Sequence, residues 1–278
     1  MITTDVFGNV EVDTSIDFEE IIDMDYPFTE VKYPVYILSK GRHDSVMTHK
    51  TLIEHGIDNY KIFVEPQDYD AYATIHEEEN LVNIEHNDLG ISYVRNYIGD
   101  YARKHDHEMY WMMDDDFRNF RRQHENRNVV IETNRALAAV ESVVDRYANI
   151  GIAGIIHIAY AFAKTEHVSV NRLAAGCFLM NARLPFKWRA DVVEDIDITL
   201  QTLESREWCT LIFNRLMFDT PPTGTKAGGN MLNQFKDDNR YKTYVRTMDA
   251  WPDRFKVSEV KGPKQYTLRH TRRFYNDY

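Results

Sequence analysis

Gly90-Ile91-Ser92-Tyr93-Val94-Arg95-Asn96, a polar turn at 104–107, and Met109-Tyr110-Trp111-Met112-Met113-Asp114-Asp115-Asp116 follow one another in the middle of the chain. Ile91, Val94, Ile98 and Tyr101 fall at helical spacing, so a helix is predicted to open after Gly90. The apolar run 109–113 predicts a buried strand. Three carboxylates where a buried strand emerges repel one another and lose hydration unless a cation compensates them. Mg²⁺ or Mn²⁺ carrying a diphosphate would do so, because these ions take carboxylate oxygens, keep several waters and accept phosphate oxygens. The plainer alternative is an acidic turn that caps the next segment, since short acidic clusters are common on surfaces.

Outward from this stretch the pattern alternates between strand and helix. Val35-Tyr36-Ile37-Leu38 predicts a first strand, followed by the turn Ser39-Lys40-Gly41-Arg42. A helix closing at Gly56, a strand over 61–64, a short helix over 69–77 and a strand over 81–84 come next. Downstream, helices are predicted over 134–147 and 195–205, and strands over 150–158 and 174–180. The fold class is therefore α/β, with a Rossmann-related, mostly parallel sheet and helices on both faces. In such sheets ligands collect at the carboxyl ends of strands, which selects Ser39–Arg42 and Asp114–Asp116. Ser39, Lys40 and Arg42 offer hydroxyl and cationic donors suited to a uridine or a diphosphate.

Composition sets the outer bounds. The 278 residues are 43% hydrophobic and 13% aromatic, which describes a folded globular chain. No apolar run is long enough to span a bilayer, and the first residues lack a basic segment followed by an apolar one. Cys177 and Cys209 have no metal-ligand spacing, so a reducing, cytoplasmic setting is expected. The net charge is −11, but residues 1–30 carry nine acids and no Lys or Arg, leaving −2 on the other 248 residues. Residues 254–278 hold seven Lys or Arg against two acids, and Arg118, Arg121, Arg122 and Arg127 follow the aspartates. Three regions are expected: an acidic extension at 1–30, a core at 31–220, and a loop with a basic carboxy-terminal segment at 221–278. Ordinary solvated charge explains such runs equally well.

Glu194-Asp195-Ile196-Asp197 sets three acids where a helix begins, which favours the helix dipole and caps it. Ahead of it, small residues around Gly176 either admit a ligand to the backbone or simply pack tightly. Trp188 is either an acceptor wall or core. The loop Thr223–Asn230 is either a lid, with Lys226 reaching a phosphate, or a plain connection.

Taken together, the glycine, the Arg95-Asn96 pair, the strand and the Asp-x-Asp resemble the nucleotide-sugar transferases of the GT-A fold. The Tyr36–Arg42 opening and the Glu194-Asp195-x-Asp197 segment narrow this to a resemblance to the phage TET-associated DNA glycosyltransferases, carried by about the first 200 residues. The resemblance implies a UDP-sugar donor and, as acceptor, the hydroxymethyl group of 5-hydroxymethylcytosine in double-stranded phage DNA, which would place the protein in the host cytoplasm. It implies donor contacts from Gly90, Arg95, Asn96, Asp114 and Asp115, and Mn²⁺ or Mg²⁺ held by Asp114, Asp116 and a late histidine, His270. Asp195 is implied as the base that deprotonates the acceptor hydroxyl, with Glu194 and Asp197 behind it. Arg118, Arg121, Arg122, Arg272 and Arg273 are the candidates for DNA phosphates, with Gly176 and Trp188 beside the acceptor. Three alternatives share parts of this pattern: a glycan or small-molecule acceptor, a sugar nucleotidyltransferase, and a non-catalytic DNA-binding module. The single glycine of the Ser39–Arg42 turn argues against the nucleotidyltransferase.

Overall fold

The apolar runs become the strands of one ten-stranded sheet in the computed structural model of the protein. The structure describes residues 3–4, 10–11, 30–125, 127–161, 167–222, 239–259 and 266–270; of residues 3, 4, 10, 11, 259, 266, 267, 269 and 270 only the backbone is described. Near the amino terminus β1 (Thr3–Thr4) pairs antiparallel with β2 (Val10–Glu11); the sequence Val6–Val12 predicts a small hairpin around Gly8-Asn9, which lies outside the described residues. The chain then runs β3 (Val35–Leu38), α1 (Met47–Glu54), β4 (Tyr60–Val64), α2 (Tyr69–Ala73), β5 (Leu81–Asn83), α3 (Ile91–Lys104) and β6 (Met109–Asp114). A hairpin of β7 (Asn119–His124) and β8 (Arg127–Ile131) precedes α4 (Thr133–Val144), β9 (Ile150–His157), β10 (Val168–Val170) and β11 (Cys177–Asn181). The rest is α5 (Glu194–Glu204), β12 (Cys209–Asp219), α6 (Asn239–Ala250), β13 (Phe255–Glu259) and β14 (Tyr266–His270).

The sheet order is β5-β4-β3-β6-β11-β9-β12-β7-β8, with β10 also on β12. The first four strands are parallel and stand in the third-second-first-fourth order of a mononucleotide-binding half. Strand β11 is inserted antiparallel between β6 and β9, and β9 is parallel to β12. Seven strands thus run one way, and β7, β10 and β11 run the other. By strand direction the sheet is mostly parallel, as the alternating pattern implies, while five of its nine pairings, all involving β7, β10 or β11, are antiparallel.

Side-chain alternation builds two cores, one on each face. Val35, Ile37, Trp111, Met113 and Leu179 point to the side of α1 and α4, where Leu52, Leu137 and Val140 cover them. Tyr36, Tyr110, Met112 and Phe178 point to the side of α3 and α5, under Val94, Ile98 and Ile198. Leu200 and Leu203 on the outer part of α5 in turn receive Phe255, Met248, Trp251 and Leu268 of the carboxy-terminal segment. Among the described residues no helix is long and apolar enough to cross a membrane.

One polar group braces the first core. Trp111 is fully buried and donates its indole N–H to Glu141 Oε1 at 2.7 Å. The backbone N–H groups of Lys32 and Tyr33 donate to the same carboxylate at 2.8 and 3.3 Å, tying the entry to β3 onto α4. Burial pushes Glu141 up to about 7, against the pull of these donors. Glu141→Ala leaves the indole unpartnered and should cost about 2–3 kcal/mol of stability. A folded-state pKa above the ordinary value means that the stabilisation is full below pH 4.5 and is lost as pH rises through about 7. Urea denaturation should therefore show a larger gap between wild type and variant at pH 5 than at pH 8.

Candidate active site

Strand β6 delivers its three aspartates to the carboxyl edge of the sheet, and the pleat sends them different ways. Asp115 is buried on the side of β3. Its Oδ2 accepts from Ser39 Oγ at 2.5 Å and its Oδ1 from Arg42 Nη1 at 2.5 Å. Its carbonyl accepts from the N–H groups of Met47 and Thr48 at the start of α1. Tyr72 completes the knot, with its hydroxyl 2.6 Å from Ser39 Oγ and accepting from the Arg42 N–H at 3.0 Å. Lys40 is paired with Glu65 at 2.8 Å and with Asp88 at 2.5 Å. Asp116 is partly exposed and lies 3.8 Å from Arg42.

Asp114 turns the other way, toward α3 and α5. There the Arg95 guanidinium is almost fully buried, with Nη2 3.5 Å from Asp114 Oδ1 and Nη1 3.7 Å from Asp195 Oδ1. Both separations exceed hydrogen-bonding length. Arg95 Nε and Nη1, Asp114 Oδ1 and Asp195 Oδ1 are shielded from solvent and have no hydrogen-bond partner among the described residues. Four such atoms in one spot demand an explanation, and a bound polar group or water is the physical one. Burial pushes Asp114 up to about 7, with Arg95 opposing and Asp116, Asp115 and Glu194 adding to the rise. Burial likewise holds Asp195 well above the usual carboxylate range, with Arg95 opposing. Gly90 opens α3 at φ +84°, a conformation that favours glycine, and nothing lies within 4 Å of where a Cβ would stand.

This geometry sits inside the segment, residues 33–229, that matches the family described as TET-Associated Glycosyltransferase. The chain belongs to that family. It is a glycosyltransferase, and the matched segment contains both Asp114–Asp116 and Glu194–Asp197. Among solved structures it is similar to a mycobacterial protein at 10% identity, covering 87% of this chain and 84% of that one, with a TM-score of 0.47. It is also similar to the inositol-1-phosphate CTP transferase from T. maritima at 11% identity, covering 71% and 93%, with a TM-score of 0.39. No curated protein matches the sequence.

In this glycosyltransferase several residues expected at the site serve as its supports. Asp115 and Ser39 spend their polar atoms on each other, Arg42 and Tyr72, so they hold the edge together and do not face a donor. Asp197 is fully buried and accepts from Arg189, from Gln201 at 2.8 Å and from Trp251 at 2.9 Å, so it anchors α5 and cannot stand in as a base. Asn96 bonds the backbone of Trp188, and Trp188 is buried against Arg95 instead of forming an acceptor wall. Gly176, at φ +76°, leaves room for the Phe218 ring, which a Cβ would meet at 2.9 Å. Arg122 is buried on the side of Phe120 and unavailable to phosphate. Arg118 and Arg121 converge on Asp219 at 3.2 and 2.8 Å, with Arg118 the more exposed of the two. Lys226, Arg272, Arg273 and the side chain of His270 lie outside the described residues.

Two residues escaped the sequence reading. Glu65 is buried at the carboxyl end of β4, where an acid after an apolar run gives the same signal as Asp114. His157 ends β9, with Nε2 3.2 Å from Thr220 Oγ1; the charges of Asp219 and Asp116 favour its protonation, although burial lowers its pKa overall. Among the described residues no three His, Cys, Asp or Glu converge as a metal cage. Mg²⁺ or Mn²⁺ held by one or two carboxylates together with substrate phosphates needs no such cage.

Brace and ligand separate by stability. Asp115→Ala removes the short ion pair to Arg42 and the acceptor of Ser39 at a buried position, and should cost about 3 kcal/mol or more in chemical denaturation. Asp116→Ala, at a more open position, should cost less than about 1 kcal/mol.

Proposed function

We propose that this glycosyltransferase moves a sugar from a UDP-sugar to the hydroxymethyl group of 5-hydroxymethylcytosine in double-stranded DNA, with Mn²⁺ or Mg²⁺ bound. The observation that carries the reading is the pair of carboxylates, Asp114 and Asp195, on either side of Arg95, each with one oxygen shielded from solvent and the rest of the side chain open to it. Asp114 and Asp116 would hold the ion, which when bound offsets negative charge on the departing diphosphate. Asp195, at the first turn of α5, accepts the proton of the attacking hydroxyl. A base is most effective when its pKa lies near the working pH, and burial raises Asp195 in that direction. Arg95 keeps the two carboxylates from repelling each other and supplies positive charge where the leaving group departs. Lys40 and Arg42, at the carboxyl end of β3, border the same edge and would add cationic charge for the nucleotide.

The DNA acceptor rests on the resemblance to TET-associated DNA glycosyltransferases, on the exposure of Arg118, and on the basic sequence of residues 254–278. A base hydroxymethyl group reaches such a site by approach through the groove or by flipping. The test mixes the purified protein with Mn²⁺ or Mg²⁺, a panel of UDP-sugars and duplex DNA containing 5-hydroxymethylcytosine, and reads nucleosides by mass spectrometry. The expected result is a sugar adduct on the base, reduced by at least about 100-fold in Asp116→Ala and Asp195→Ala. UDP release without an adduct would keep the transferase and replace DNA with another acceptor. Adduct formation at wild-type rates in Asp195→Ala would remove Asp195 from the chemistry.

A further inference from the structure

Arg95 is the residue both halves of the site share, yet no hydrogen bond from the described residues fixes it. Its Nε and Nη1 have no partner, and its two carboxylates stand at 3.5 and 3.7 Å. What places the guanidinium is aromatic. Its carbon lies 5.0 Å from the Phe178 ring centroid and 4.6 Å from that of Trp188, while the two rings meet edge-on at 5.6 Å and 69°. The cation therefore sits in a corner between two ring faces, a desolvated setting in which cation–π attraction is at its strongest.

The two walls of that corner are held differently. Phe178 belongs to β11, and the sheet fixes it on both sides. Trp188 lies in the connection from β11 to α5, outside regular structure, and is held by straps. Asn96 grips it twice: Nδ2 donates to the Trp188 carbonyl at 2.8 Å, and the Trp188 N–H donates to Oδ1 at 2.9 Å. Ser92 Oγ donates to the Arg189 carbonyl at 2.9 Å, one turn earlier on α3. From the other side Gln201 of α5 donates to the Lys187 carbonyl at 3.0 Å, and Arg189 reaches Asp197. The adjacent residues of the Arg-Asn pair thus have divided duties: one carries the charge, and the other holds the ring that aims it.

We propose that Trp188 and Asn96 are positioning residues for sugar transfer, acting through Arg95. The proposal rests on the reading of Asp114 and Asp195 as the two halves of the site. Trp188→Leu removes the ring face but keeps an apolar filling, so Arg95 loses one wall and drifts between its carboxylates. A misplacement of about 1 Å at a reacting centre is enough to cost about 100-fold in rate.

The test compares Trp188→Leu, Trp188→Phe and Asn96→Ala with wild type in two independent measurements. Transfer kinetics with UDP-sugar and hydroxymethylated duplex DNA should show kcat falling about 100-fold in Trp188→Leu with donor KM changed less than about threefold. Asn96→Ala should fall about tenfold, and Trp188→Phe, which keeps an aromatic face, should stay within about fivefold. The second measurement needs no turnover: the ¹H–¹⁵N signal of Arg95 Nε–H, assigned by its loss in Arg95→Lys. Ring currents should displace it in wild type and Trp188→Phe, and it should move to the ordinary arginine position in Trp188→Leu. Equal loss of kcat in the Leu and Phe variants, or a KM rise with kcat unchanged, would overturn the proposal. So would an unmoved Arg95 signal in Trp188→Leu. Should Trp188→Leu fail to fold, Asn96→Ala carries the same two readouts. If wild type transfers no sugar but the Arg95 signal behaves as stated, the positioning of Arg95 stands and the functional reading falls.

Discussion

A single buried guanidinium ties together the two halves of the proposed site. Arg95 is reached from three parts of the chain: Asp114 at the end of β6, Asp195 at the start of α5, and the Phe178–Trp188 corner between them. Each of these carboxylates turns one solvent-shielded oxygen toward Arg95, and the cation between them opposes the burial and mutual repulsion that favour the neutral acid. One positive charge only partly offsets them, and both acids accordingly stay above the usual carboxylate range. The site is thus short of positive charge, which a divalent metal ion would relieve. The family places this deficit in a glycosyltransferase.

The acids of the site divide by whether their oxygens are already occupied. Asp115 and Asp197 lie within two residues of the aspartates proposed to act, but their oxygens accept from several donors, and each fastens one element to another. Asp115 joins β6 to β3 and the start of α1; Asp197 joins α5 to the connection before it and to Trp251 of the carboxy-terminal segment. Asp114 and Asp195 have shielded oxygens left over. Bracing one acid so that its neighbour can be left unsatisfied is a direct way to hold an uncomfortable charge in place.

Much of the core was legible because its periodicity was clean. The runs Val35–Leu38 and Met109–Met113 carry apolar residues for both faces, as strands buried on two sides must. The hairpin of β7 and β8 was not legible: Arg121, Arg122, Gln123 and Asn128 break any apolar pattern, and its pairing is decided by β12. Strand β12 itself is masked by Asn214-Arg215, which the structure absorbs as a register shift between Phe213 and Met217. The positions of Asp114, Asp116 and Asp195 could be read from where acids interrupt strand and helix patterns. The roles of Asp115, Asp197, Asn96 and Trp188 could not, because they depend on partners about 50–90 residues away.

The most direct measurement is a crystal structure of the protein soaked with Mn²⁺ and UDP, with the ion located by its anomalous signal. The account predicts an anomalous peak against Asp114 and Asp116 carrying the diphosphate, with Asp115 still bound to Ser39 and Arg42 and Asp195 uncoordinated across Arg95. An ion and nucleotide bound away from the carboxyl edge of β3 and β6, or held by Asp195 itself, would contradict it.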